Sequence, residues 1–138
     1  MEQDSTKPKV TKDRINALTG IILDCSIAVH KEMGPGLPES VYEACLLKEF
    51  ELRGIAAKSQ VKAPLKYKGF NLNKDFILDL LIEDEIIIEL KSIDSVLPVH
   101  EAQLISYLKL TDKRLGLLIN FNVPLVKNGF IRYINNLD

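Results

Sequence analysis

Residues 79–91 read DLLIEDEIIIELK. Two apolar runs, 80–82 and 86–88, flank the acidic triplet Glu83-Asp84-Glu85. Their β-branched content and the short polar break predict two strands, residues 76–82 and 86–91, joined as a hairpin. Runs this apolar normally end inside a sheet, where an ionisable group is costly unless it has a partner. This hairpin nevertheless carries Asp79, Glu89 and Lys91. Side chains alternate along a strand, so Glu89 and Lys91 share a face with Ile87. Asp79 joins them only in one register. A three-residue loop at 83–85 sets Asp79 opposite Glu89, with Cβ atoms about 4.5–5.5 Å apart, whereas a two-residue turn puts it on the other face. An odd-length loop or a bulge is therefore expected. Two carboxylates that close repel each other and resist burial. A hard divalent cation relieves the repulsion, and oxygen-only ligands favour Mg²⁺ or Mn²⁺ over zinc. Alternatively, Lys91 forms a structural ion pair with Asp79 or Glu89 at the sheet rim.

Upstream of the hairpin, Ile15, Leu18, Ile22, Cys25 and Val29 step by three and four, predicting a helix over residues 12–33 with a narrow apolar stripe. Gly34-Pro35-Gly36 ends it. A second helix starts near Pro38 and stops at Gly54. Residues 55–68 read as an edge or bulged strand interrupted by Pro64. Downstream, Pro98 opens a third helix (PVHEAQLISYLKLT), followed by a strand over 115–121, a loop with Pro124 and Gly129, and a last strand, FIRYI. This order predicts one α/β domain over residues 12–138, a mixed central sheet flanked by helices, with residues 1–11 as a loose leader.

Two helix faces carry further polar groups. Glu39 and Tyr42 lie three apart in GLPESVYEACL, with Glu43 one turn on from Glu39. His100, Gln103 and Tyr107 fall at i, i+3 and i+7 of the third helix. That face is either solvent-exposed or lines a site, and His100 alone equally suits a helix-start surface position.

A chain of 138 residues with 46% hydrophobic composition can bury a sizeable core. No apolar run approaches the roughly 20 residues of a membrane helix, and the polar N-terminus lacks a signal-peptide core; a cytoplasmic protein is expected. The net charge of −1 excludes a polycation that binds nucleic acid by bulk charge. Locally, Lys58, Lys62, Lys66, Lys68 and Lys74 meet no acid before Asp75. They form either a solvated edge strand or a strip that contacts phosphates. Cys25 and Cys45 have no metal-ligand spacing and are read as buried reduced thiols.

Gly36-x-x-Glu39-x-x-Tyr42, Asp79, Glu89-Leu90-Lys91 and His100-x-x-Gln103-x-x-x-Tyr107, in this order, resemble the small bacterial GxxExxY proteins, grouped with the PD-(D/E)XK nuclease superfamily. The likeness runs from about Ile15 to Ile134. It implies a restriction-endonuclease-like core of helix, three strands, helix and strand, and a metal-dependent nuclease acting on DNA or RNA. By position, Asp79 and Glu89 become metal ligands for Mg²⁺ or Mn²⁺, Glu39 the acidic residue beside them, Lys91 the catalytic lysine and Gln103 a polar helper. Tyr42, His100 and Tyr107 belong to the GxxExxY pattern as candidate site-lining residues. Leu78 stands where many members of the superfamily have proline before the aspartate. The alternative is a catalytically quiet or partner-activated module that binds nucleic acid or protein. A homodimer joined through the stripe of the first helix is compatible with either.

Overall fold

The computed structural model describes residues 10–137; residues 1–9 of the expected leader lie outside them. Its elements are α1 (Lys12–Met33), α2 (Glu39–Leu52), β1 (Ala57–Tyr67), β2 (Phe70–Ile82), β3 (Ile86–Lys91), α3 (Pro98–Thr111), β4 (Leu115–Asn120) and β5 (Phe130–Ile134), with a short 3-10 turn (Val126–Gly129) before β5. The strands form one mixed sheet in the order β1-β2-β3-β4-β5. Every neighbouring pair is antiparallel except β3 and β4, which run parallel and are connected through α3.

Local chemistry sets the helix limits. Thr11 caps α1 by accepting from the Arg14 N–H at 3.1 Å, and Gly34, with φ of 73°, supplies the left-handed residue that ends it. The α1 stripe (Ile15, Leu18, Ile22, Cys25 and Val29) is buried in one core with Leu46 and Phe50 of α2 and the facing strand residues Leu80, Ile82, Ile86, Ile88 and Leu90. The chain's own sheet thus covers the stripe. On the opposite face, Leu104 and Leu108 of α3 close a smaller core over Leu78, Leu81, Ile87 and Leu118. Gly116 lets α3 sit this low: a Cβ there would lie 2.9 Å from Leu104 Cδ1 and 3.2 Å from Leu108 Cδ1. Cys25 is buried, and burial pushes its thiol up to about 11, whereas Cys45 is only partly buried. Among the described residues no helix is long and apolar enough to cross a membrane.

The hairpin loop has three residues. Ile82 pairs with Ile86, Leu81 with Ile87 and Leu80 with Ile88, while Glu83 and Asp84 take positive φ values of 51° and 58°. Each acid of the loop meets a cation: Glu83 with Arg14 at 3.5 Å, Asp84 with Lys113 at 3.5 Å and Glu85 with Arg114 at 3.6 Å. The acidic triplet therefore belongs to the turn, at the opposite end of β3 from Glu89 and Lys91.

One element is longer than its sequence pattern predicts. Strand β2 begins at Phe70 rather than near residue 76. Its first six residues pair only with β1 and are all exposed, so no core imprints a period of two on them. As expected around Pro64, the β1–β2 register shifts between Pro64 and Lys66.

Candidate active site

The β2–β3 ladder stops after Leu80–Ile88. One step further Asp79 and Glu89 would face each other across the two strands. There Asp79 supplies its side chain instead of its backbone: Oδ2 accepts the Leu90 N–H at 2.9 Å. The alternation of β2 breaks at this residue. Leu80 and Ile82 point into the α1–α2 core, but Leu78, two residues from Leu80, points into the α3 core. β1 switches faces at the same level, Ala57 packing on the α1–α2 side and Val61 on the α3 side. Gln60 lies between those two, flanked by the pairs Ser59–Leu80 and Val61–Leu78, with φ of 51°. The sheet is thus kinked at Gln60 and Asp79, and the Asp79 carboxyl is reachable from one side of the sheet while lying beside Glu89.

Glu89 is 6% exposed, and its Oε1 is buried with no hydrogen-bond partner among the described residues. Its carboxyl is pushed up to about 9, first by burial and then by the adjacent Asp79 carboxyl; the Lys91 ammonium opposes the shift only in part. Near neutral pH the site therefore holds a protonated Glu89 beside Asp79. Lys91, half-buried, ends β3 on the Glu89 side of the strand. Leu90 between them is buried in the α1–α2 core, which anchors the triplet. Asn120, opposite Lys91 on β4, fixes the chain that follows, accepting the Ile93 N–H at 3.1 Å and donating to the Ile93 carbonyl at 2.9 Å.

On the α2 side a pocket of about 280 Å³, wide enough for a hydrated cation beside a phosphate group, is lined by Glu39, Ser40, Glu43, Gln60, Asp79 and Leu90. Gln60 donates to Glu43 Oε1 at 2.7 Å. Glu39, the first residue of α2, is exposed at the pocket wall. Tyr42, three residues on, points the other way. It is fully buried and stacked on Phe121 with ring centroids 4.3 Å apart. Its hydroxyl donates to the Gly34 carbonyl at 2.6 Å and accepts the Leu37 N–H at 3.1 Å, so it holds the Gly34–Gly36 turn that sets where α2 begins. Ser40 and Gln60 carry no motif signal; their place in the pocket follows from the kink of β1 and the start of α2.

On the α3 side Tyr107 stacks on Phe76, centroids 4.8 Å apart. Its hydroxyl is shifted upward, first by burial and then by the charges of Glu89 and Asp79, with a hydrogen bond from Gln103 working against the shift. Tyr107 thus senses both carboxyls, and the exposed Gln103 is tied to Tyr107. His100 Nδ1 accepts the Leu97 N–H at 3.0 Å, which occupies that nitrogen in starting α3.

The structure brings Asp79, Glu89 and Lys91 together where the pairing of β2 with β3 stops, with Glu39 across the pocket and Tyr107 and Gln103 on the far side. Among the described residues no group of three or more His, Cys, Asp or Glu side chains already forms a metal cage. The donor set nevertheless fits a hard divalent cation. It offers carboxylate oxygens only, one of them a buried orphan, on a pair whose mutual repulsion a dication would reverse. Such a site can concentrate positive charge against a phosphate, with the carboxyl pair and the Lys91 ammonium set between the Glu39 wall on the α2 side and the Tyr107 phenol on the α3 side.

Comparison with known proteins supplies one match. The sequence profile of the PD-(D/E)XK nuclease superfamily covers residues 16–133. No curated protein and no solved structure matches the chain significantly.

Proposed function

Since the chain belongs to the PD-(D/E)XK nuclease superfamily, we propose that it hydrolyses phosphodiester bonds of DNA or RNA at the Asp79–Glu89–Lys91 site, and that within the superfamily it is a GxxExxY protein. The observation that carries this reading is Glu89: a carboxyl buried beside a second carboxyl, with an unpartnered oxygen, at the end of an apolar strand. A purely structural residue at that position costs stability without return. Asp79 and Glu89, with Glu39 across the pocket, would hold Mg²⁺ or Mn²⁺. When bound, the ion supplies a Lewis acid that acidifies water and offsets phosphate charge.

The remaining roles fall to the chain's own groups. Lys91 places a fixed positive charge beside the carboxyls, where it neutralises charge that develops on the phosphate oxygens. Asp79, held by the Leu90 N–H, cannot swing away from the cleft. Gln103 orients Tyr107, whose hydroxyl offers a donor near both carboxyls on the α3 side.

The test is cleavage of labelled DNA and RNA, single- and double-stranded, in Mg²⁺ or Mn²⁺ by the wild type, Asp79→Asn and Lys91→Met. Asparagine keeps an acceptor for the Leu90 N–H and so spares the hairpin. Metal-dependent cleavage should fall by at least about a hundredfold in each variant. Cleavage that persists in both removes the assignment. Absence of metal binding by calorimetry, together with absence of cleavage in the wild type, would instead identify a binding module on a nuclease fold.

A further inference from the structure

Strands β1 and β2 run well past the rest of the sheet. β3 meets β2 only over residues 80–82, and the α3 core takes in β1–β2 only as far as Val61 and Phe76. Beyond that level, residues 64–75 form a two-stranded ribbon in which only Leu65 is even partly buried. At the turn of this ribbon Tyr67 and Phe70 face each other as a cross-strand pair, 60% and 71% exposed, with Leu72 at 46%. The Lys68 ammonium sits 5.5 Å from the Tyr67 ring centroid. Residues 58–74, the two strands with their turn, carry five lysines and no acid, and all five are exposed.

We propose that this ribbon is an arm that takes hold of unpaired nucleotides of the substrate, its lysines on the phosphates and the Tyr67 and Phe70 rings on the bases. Exposed aromatic rings are poor solvent-facing residues, and their cross-strand pairing presents two flat surfaces at one level. Bases stack on such rings whatever their sequence, provided that they are not already paired in a duplex. The charge selects this partner over a second copy of the chain, because two ribbons that each carry Lys66, Lys68 and Lys74 against a single Asp75 repel, whereas a polyanion is attracted. The seven residues from the Gln60–Asp79 kink to the Tyr67–Phe70 pair span about 23 Å at 3.3 Å per residue. A strand held at the tip would reach the carboxyl pair after about seven stacked nucleotides at 3.4 Å each. The inference rests on the nuclease reading and narrows it to substrates with a single-stranded segment.

The experiment is fluorescence anisotropy in EDTA, so that nothing is cleaved, with a labelled oligothymidylate of about 20 nucleotides, its ribo counterpart and a blunt duplex. Wild type should bind the single strands more tightly than the duplex. The double variant Tyr67→Ala/Phe70→Ala should weaken single-strand binding at least about tenfold, given roughly fivefold or more per lost stack, and leave duplex binding within about twofold. Lys66→Ala/Lys68→Ala/Lys74→Ala should weaken both and flatten the salt dependence for single strands by about 2 in logarithmic slope. The substituted side chains are exposed, and circular dichroism checks that the fold persists. Unchanged single-strand affinity in the aromatic variant overturns the proposal, as does wild type that binds no oligonucleotide. Light scattering that shows a wild-type dimer dissociated by the same variant also overturns it, assigning the ribbon to self-association. The two readings fail separately: binding through Tyr67 and Phe70 without any cleavage sinks the nuclease and leaves the arm, whereas cleavage of every substrate undiminished in the aromatic variant does the reverse.

Discussion

Replacing Glu89 with glutamine isolates the cost of the buried carboxyl. In the metal-free protein burial and Asp79 raise Glu89 from its ordinary 4.5 to about 9. Between pH 6 and 8 the folded state therefore keeps a proton on this group that the unfolded chain has released. Stability changes with pH by 2.303RT times the protons bound unfolded minus those bound folded. That difference is close to −1 here, so Glu89 makes the protein less stable as pH rises, by about 1.4 kcal/mol per pH unit. Over the two units this amounts to roughly 3 kcal/mol, a large share of the 5–15 kcal/mol typical of a domain, or about 10 °C in Tm. Glutamine keeps the size and a donor for Asp79 but does not titrate. Urea denaturation in EDTA at pH 6, 7 and 8 should show the stability gap between Glu89→Gln and wild type widening in favour of the variant by that amount. Excess Mg²⁺ should stabilise wild type, more at pH 8 than at pH 6, because the ion binds the ionised pair, and should do little for the variant. Parallel pH dependences of the two proteins in EDTA would refute the account of Glu89, whatever the activity assays show.

Tyr42→Phe removes the hydroxyl that bridges the Gly34 carbonyl and the Leu37 N–H; a loss of about 1–3 kcal/mol by denaturant titration is expected, with Mg²⁺ affinity by calorimetry changed little. Gly116→Ala drives a methyl to 2.9 Å from Leu104 Cδ1 and should cost about 1–3 kcal/mol. Because α3 carries Tyr107, the same variant should lower cleavage even under conditions where it remains folded. Asp79→Ala, unlike the asparagine variant, leaves the Leu90 N–H without its acceptor and should be less stable than Asp79→Asn by about 1–3 kcal/mol in thermal melts.

What the sequence revealed and what it hid divide along one physical line. The α1 stripe and the three-residue loop were legible because each is fixed by neighbours in sequence: Ile15 to Val29 by helical period, Glu83-Asp84-Glu85 by the apolar runs on either side. The GxxExxY spacing likewise put Glu39 and Tyr42 on one helix, whose start Pro38 marks. It did not reveal that Tyr42 turns inward, because one face of a helix read in isolation does not show which side the sheet will take. Gln60 was illegible for a related reason. Nothing in KSQVK marks a residue with φ of 51° or a strand that changes faces there. The length of β2 was hidden too, since the exposed ribbon obeys pairing with β1 and no core. Long-range packing decides all three.

The kink at Gln60 and Asp79 also explains how apolar strands can carry these charges at all. With unbroken alternation, Asp79 would point to the face opposite Leu80, and the β2–β3 ladder would continue through it and Glu89 with backbone bonds. Instead Leu78 and Leu80 enter different cores, and the strand pays for that switch at a single residue whose side chain replaces the missing backbone acceptor for Leu90. Asp79 is thereby fixed without an ion pair, and Glu89 stays in line with fully buried Ile87 on one side and Lys91 on the other. The apolar residues around 80–82 and 86–88 make the hairpin rigid enough to keep two carboxyls adjacent against their repulsion. An exposed pair at a flexible rim would simply separate. The charges need the apolar runs, and the kink is what lets both occupy the same strands.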